Sequence, residues 1–146
     1  MTDQLEIKEL TKTDPLPYDL LLLADPSRKN IDQYIFNSTI YVANITGTTI
    51  GCYVLHEKTK ETIEIKNISV DSKHQSNGLG TILLNHAIGT AKSRGYKQIM
   101  IGTGNSSVGQ LYLYQKVGFR ITGILPDFFN KHYEEPIIEN GIQCRT

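Results

Sequence analysis

From Thr39 to Val70 the chain is written as three apolar runs separated by short polar breaks. Thr39-Ile40-Tyr41-Val42-Ala43-Asn44, Thr49 to His56 and Thr62 to Val70 are rich in β-branched and aromatic residues, which predicts strands. Thr46-Gly47-Thr48 and Lys58-Thr59-Lys60-Glu61 are short turns, so the three strands return on one another as an antiparallel meander. Ahead of them, Leu5 and Ile7 mark a first strand, and Asp14-Pro15-Leu16-Pro17 breaks it. A short helix is expected from about Pro17 to Ala24. Ser27 then caps a second, with Ile31, Tyr34 and Ile35 on one face.

Behind the meander the period changes to that of a helix. Leu79, Leu83, Ala87 and Ala91 fall on one stripe, widened by Ile82 and Ile88, and Gly95 is a left-handed stop. Lys97 to Gly102 reads as a strand parallel to the one ending at Val70, because a helix separates the two. Ser107-Val108-Gly109-Gln110 has the form of a capping box and opens a helix to about Lys116, with Gly118 ending it. Phe119 to Gly123 reads as a further strand. Asn140-Gly141 is a turn signal between the apolar pairs around Ile137 and Ile142. The order predicts an α+β fold: one mixed, mostly antiparallel sheet of about six or seven strands, flanked by about four helices. Antiparallel neighbours followed by a parallel one imply a splay in the middle of that sheet.

The strand from Thr62 to Val70 contains a fault. Ile63 and Ile65 share one face, whereas strict alternation puts Ile68 and Val70 on the other. One extra residue near Lys66-Asn67 restores the phase, so a β-bulge is expected there.

Composition narrows the classes. The 146 residues make one domain, 1–146, with a full core. Fifteen basic and fifteen acidic residues cancel, which argues against a nucleic-acid partner. No apolar run reaches the roughly 18–20 residues of a membrane span. Met1 to Glu6 has neither the charge nor the apolar stretch of a signal peptide. Cys52 and Cys144 lack metal or redox spacing and suit a reduced, cytoplasmic protein; no histidine pattern points to a metal.

Ile68 to Gly80 carries the candidate chemistry: a strand end, a polar turn, two glycines and a helix start. Unpaired amides and the dipole at a helix N-terminus favour an anion, and glycines let a phosphate approach the backbone.

The sequence resembles the GCN5-related N-acetyltransferases (GNAT family). Their motif, Gln/Arg-x-x-Gly-x-Gly/Ala after a strand, reads here Gln75-Ser76-Asn77-Gly78-Leu79-Gly80. A second family motif, Tyr-x-Lys-x-Gly-Phe at a helix end, reads Tyr114-Gln115-Lys116-Val117-Gly118-Phe119. The stretches Gly104-Asn105-Ser106-Ser107 and Glu139-Asn140-Gly141 look like those of small bacterial members.

The resemblance implies acetyl-CoA as co-substrate and transfer of its acetyl group to a primary amine by direct attack in a ternary complex. A non-catalytic acyl-CoA sensor on the same fold is the alternative. By the resemblance, the amides of Gln75, Ser76, Asn77, Gly78, Leu79, Gly80 and Thr81 hold the pyrophosphate. Ile68, Ser69 and Val70 pair with the pantetheine arm as a strand would, and Asn105 and Ser107 touch it. Tyr114 protonates the leaving thiolate. Glu64, sixteen residues before Gly80, is the candidate base, with Glu57 in reserve. Ser76 and Asn77 stand where the family often has Arg or Lys, so charge assistance is thinner. The expected acceptor is a small-molecule or peptide amine, with no nucleic-acid or membrane partner. A homodimer through the last strand is a candidate assembly.

Overall fold

The computed structural model describes residues 4–146; Met1 to Asp3, part of the stretch read above for a signal peptide, lie outside the described residues. The chain forms two compact units, one running to Ile101 and a second, Gly102–Thr146.

The first unit is built on a five-stranded mixed sheet in the order β1-β2-β3-β4-β5. These are β1 (Leu5–Glu9), β2 (Thr39–Ile45), β3 (Thr48–Glu57), β4 (Thr62–Val70) and β5 (Gln98–Ile101). The first four are antiparallel neighbours, and β5 runs parallel to β4. Three helices belong to this unit: α1 (Tyr18–Ala24), α2 (Arg28–Tyr34) and α3 (Leu79–Ser93). Ser27 caps α2 as expected, its Oγ accepting from the Asn30 amide at 3.2 Å.

Both faces of the sheet are covered. One packs under α1 and α2, where Leu21, Ile31 and Ile35 close over Ile40, Val42, Cys52 and Val54. The other packs under α3. A Cβ on Gly51 would stand 3.1 Å from Leu83, so the missing side chain lets helix and strand approach. The buried stripe of α3 is Leu79, Leu83, Leu84, Ala87 and Ala91. Leu84 widens it where Ile82 was expected; Ile82 is exposed.

The predicted bulge is present. Leu55 pairs with Ile65 and Val54 with Asn67, so Lys66 is the extra residue. Partners across a ladder share a face, which puts Ile63, Ile65, Ile68 and Val70 with Glu57, Leu55, Tyr53 and Gly51 on the α3 side. Asn67 and Ser69 turn to the α1–α2 side, with Glu64 and His56. The one inserted residue thus gathers the strand's aliphatic side chains on one face and its buried polar ones on the other.

The second unit holds α4 (Val108–Val117), α5 (Phe128–His132) and a two-stranded sheet of β6 (Ile137–Glu139) and β7 (Ile142–Cys144). Asn140 and Gly141 both take positive φ, 54° and 74°, as a tight hairpin turn needs. The last strand is therefore paired within its own chain. Phe119 to Gly123, expected as a strand, has no regular structure. No described strand pairs with it, and Ile121 is 65% exposed; strand propensity without a partner does not make a strand. Among the described residues no helix is long and apolar enough to cross a membrane.

Candidate active site

β4 outlasts its parallel neighbour. Pairing with β5 covers only Thr62 to Ile65 and stops where the bulge begins. From Lys66 to Val70 no described strand hydrogen-bonds to that side. The amide of Asp71 donates to Ile50 O at 2.7 Å, toward β3. Peptide groups alternate along a strand, so those of Val70 and Ile68 point the other way, to the open edge. An extended chain is the natural occupant of such an edge.

The loop after β4 is equally open. Asp71 takes the His74 amide onto its carbonyl (2.8 Å), closing a short turn. Ser76 and Gly78 follow with φ of 69° and 77°, which turns the chain sharply into α3. Among the described residues no acceptor takes the amides of Gln75, Ser76, Asn77, Gly78, Leu79, Gly80 or Thr81; the first paired amide is Ile82, on Gly78 O at 3.1 Å. Seven consecutive donors at the start of a fifteen-residue helix suit a pyrophosphate. The Gln75 side chain plays a different part, in which its Nε2 donates to Val70 O at 3.1 Å and ties the loop to the strand end.

Glu64 lies on the α1–α2 face, next to the bulge. Lys58 and Lys66 approach its Oε1 at 3.5 and 3.7 Å, yet that oxygen is buried without a hydrogen bond. Glu57 is on the opposite face by register and accepts from Tyr96 Oη at 2.5 Å. Cys52 is fully buried against Ser69 Oγ (3.4 Å), and desolvation pushes its thiol up to about 11, which keeps it protonated at neutral pH. Among the described residues no three His, Cys, Asp or Glu side chains gather as metal ligands.

In the second unit the Tyr-x-Lys-x-Gly-Phe run is a helix stop. Phe119 N donates to Tyr114 O (2.9 Å) and Gly118 N to Gln115 O (3.1 Å), a Schellman pair with Gly118 at φ 124°. The Phe119 ring packs on that of Tyr114, centroids 6.2 Å apart. Tyr114 is buried, and desolvation raises its phenol to about 12.

The polar groups ahead of α4 are already engaged. Asn105 Oδ1 accepts from the amides of Arg145 and Thr146 (2.7 and 3.1 Å), and its Nδ2 donates to Gln143 O (3.1 Å). Ser106 and Ser107 both donate to Glu139 Oε1, at 3.1 and 2.8 Å. The expected capping box does not form: Ser107 bonds Glu139 and Gln110 accepts from Thr103 Oγ1 at 2.9 Å.

A model of the acetyltransferase (GNAT) family matches residues 6–119. The chain belongs to that family. It is 49% identical over 142 residues to YvbK of Bacillus subtilis, described as an uncharacterized N-acetyltransferase, covering 97% of this chain and 92% of that protein. Its fold superposes with a TM-score of 0.96 and 54% identity on a GNAT acetyltransferase of Elizabethkingia anophelis with acetyl-CoA bound, over 99% of this chain and 94% of that one. A Bacillus subtilis acetyltransferase in complex with CoA matches at TM-score 0.91 and 48% identity, over 97% and 93% of the two chains. The GNAT fold follows, as does catalytic acetyl transfer over cofactor sensing.

Two buried polar residues of this GNAT chain were placed by the sequence, Asn67 at the bulge and Tyr34 on the apolar face of α2, but their contact with each other was not. Asn67, 4% exposed, and Tyr34, 8% exposed, meet under α1. An asparagine at the phase fault of an apolar strand was the available signal.

Proposed function

We propose that this acetyltransferase moves the acetyl group of acetyl-CoA to the nitrogen of a primary amine, a small molecule or a peptide, by direct attack within a ternary complex. The observation that carries the reading is the open edge of β4 running straight into seven untaken amides. Acetyl-CoA supplies the activated thioester. The amides of Gln75 to Thr81 hold its pyrophosphate, and the peptide groups of Ile68 and Val70 align the pantetheine arm, with Ser69 between them facing the core. Asn105 and Ser107 stay outside the proposed contacts, because their side chains serve the second unit's own hairpin.

Glu64 takes a proton from the ammonium, which otherwise holds it to a pKa of about 10. The neutral nitrogen forms the C–N bond, the C–S bond breaks, the sulfur leaves as thiolate, and the surplus proton on the new amide nitrogen passes through solvent to that thiolate. The role of Tyr114 rests on the family motif and on its chemistry. With a pKa of about 12 it keeps its proton against a thiolate near 8.5, so it stabilises the sulfur by hydrogen bonding more than by full transfer. Cytoplasmic placement belongs to the same reading, supported by two free cysteines.

The test is release of coenzyme A thiol during a screen of amines, amino acids, polyamines and aminoglycosides. At least one primary amine should give turnover. Tyr114→Phe should then lower kcat about a hundredfold and leave the KM for acetyl-CoA within about threefold. Absence of thiol release with every amine, despite cofactor binding, overturns the reading.

A further inference from the structure

The second unit holds a cavity of about 120 Å³ beside α5 and the β6–β7 hairpin. Phe129 and Tyr133 line it from α5 and its C-cap, Gln143 and Cys144 from β7, and Glu134 and Glu135 from the stretch between α5 and β6. Its size approaches that of the roughly 150 Å³ cavity that admits a benzene ring. A solute can reach it: both glutamates are exposed, and Phe129 and Tyr133 are half-buried.

The aromatic part of the lining is held in place. Tyr133 N donates to Phe129 O at 3.0 Å, one helical turn back, and the two rings stack with centroids 5.3 Å apart at 24°. Phe129 N donates to Arg145 O at 2.9 Å, which ties α5 to the end of the hairpin. Cys144 is buried and gives the cavity a packed floor. The charge of the lining is one-sided: two carboxylates and no Lys, Arg or His. Among the described residues neither carboxylate has an ion pair or a hydrogen bond, unlike Glu139 of the same unit, which takes Ser106 and Ser107. An anion is repelled here, and a neutral guest meets only the rings. A cation on a carbon skeleton gains from both, because an ammonium is attracted to a carboxylate and to the face of a Phe or Tyr ring. A bare metal ion suits the cavity less, since among the described residues no third His, Cys, Asp or Glu joins the pair.

We propose that this cavity binds the head of a small organic ammonium ion, its carbon skeleton against the Phe129–Tyr133 pair and its charge on Glu134 and Glu135. The site lies within the second unit and goes beyond the acetyl-transfer reading, since it needs neither acetyl-CoA nor Glu64. Two sources share the chemistry: an acceptor amine in its ammonium form, and a separate small cation.

The experiment titrates the full chain, without acetyl-CoA, with choline and with the uncharged 3,3-dimethylbutan-1-ol, which has carbon in place of the nitrogen. Amide resonances in the NMR spectrum report the position and the affinity. Choline should shift the signals of Phe129, Tyr133, Glu134 and Glu135 and bind about tenfold more tightly than the alcohol. Glu134→Gln with Glu135→Gln keeps the shape and removes both charges from exposed positions, so the fold is spared; the preference should fall to within about threefold. No binding, equal binding of the two probes, shifts confined to other residues, or a preserved preference in the double variant overturns the proposal. Choline has no N–H to acetylate, so its binding stands or falls apart from acetyl transfer. Once a turnover amine is known, competition by choline assigns the cavity to the acceptor, and turnover indifferent to bound choline assigns it to a separate cation.

Discussion

The loop Gln75–Gly80 and the loop Gly104–Ser107 are both polar, both glycine-containing and both lead into a helix, yet they spend their hydrogen bonds in opposite ways. In the first and on to Thr81, seven amides in a row have no acceptor among the described residues, and the side chains of Gln75, Ser76 and Asn77 are exposed. In the second, Ser106 is fully buried, Asn105 uses both ends of its amide, and two hydroxyls converge on Glu139. Composition does not separate a loop that waits for a ligand from one that clamps its own chain. The satisfaction of its donors does.

The largest effect that tests this contrast belongs to the closed loop. A Cβ at Gly104 would overlap the Sγ of Cys144 and press on the Phe129 ring. Cys144 is buried in β7 and cannot swing its short side chain aside. Gly104→Ala should cost about 3 kcal/mol in urea unfolding, and adding Cys144→Ala should recover most of it. A mild Gly104→Ala would show the second loop to be looser than its hydrogen bonds imply.

Next comes the open loop. Gly78 has φ 77° and open space where a Cβ would stand, so its glycine answers to backbone shape alone within this fold. Gly78→Val strains that conformation by about 1–2 kcal/mol and disturbs the amides on either side. The KM for acetyl-CoA should rise about tenfold or more, equivalent to roughly 1.4 kcal/mol. A variant that loses stability but binds acetyl-CoA as wild type does would remove this loop from the cofactor site.

How far the sequence led differs between the same two regions. The meander, the parallel fifth strand and the bulge at Lys66 were legible because period-2 alternation is enforced wherever a face is buried, so a fault in it must be repaired. The glycine turn was legible because positive φ and a helix start leave a local mark. The second unit was read less well. Ser107 and Gln110 have the spacing of a capping box, but a carboxylate thirty-two residues away in sequence captures the serine. Phe119 is drawn into a helix stop by Tyr114, and the residues after it find no strand partner. Long-range partners decide such cases, and single-sequence patterns carry no record of them. The contact of Asn67 with Tyr34 was missed for the related reason that a polar residue in a strand looks solvated until the far side of the sheet is known to be covered.

The smallest effects give the sharpest version of the contrast, because two similar truncations should move different observables. Ser107→Ala removes a 2.8 Å bond to a carboxylate inside the second unit and should cost about 1–2 kcal/mol of stability. It should leave the KM for acetyl-CoA unchanged. Gln75→Ala removes an exposed bond to Val70 O, so stability should stay within about 0.5 kcal/mol. Its cost falls on binding instead: without that tie the loop and the strand end lose their common register, and the KM for acetyl-CoA should rise roughly threefold to tenfold. Unfolding curves and acetyl-CoA kinetics on the two variants read both axes. If Ser107→Ala weakens acetyl-CoA binding while Gln75→Ala does not, the assignment of open and closed loops is reversed, and Ser107 returns to the cofactor contacts.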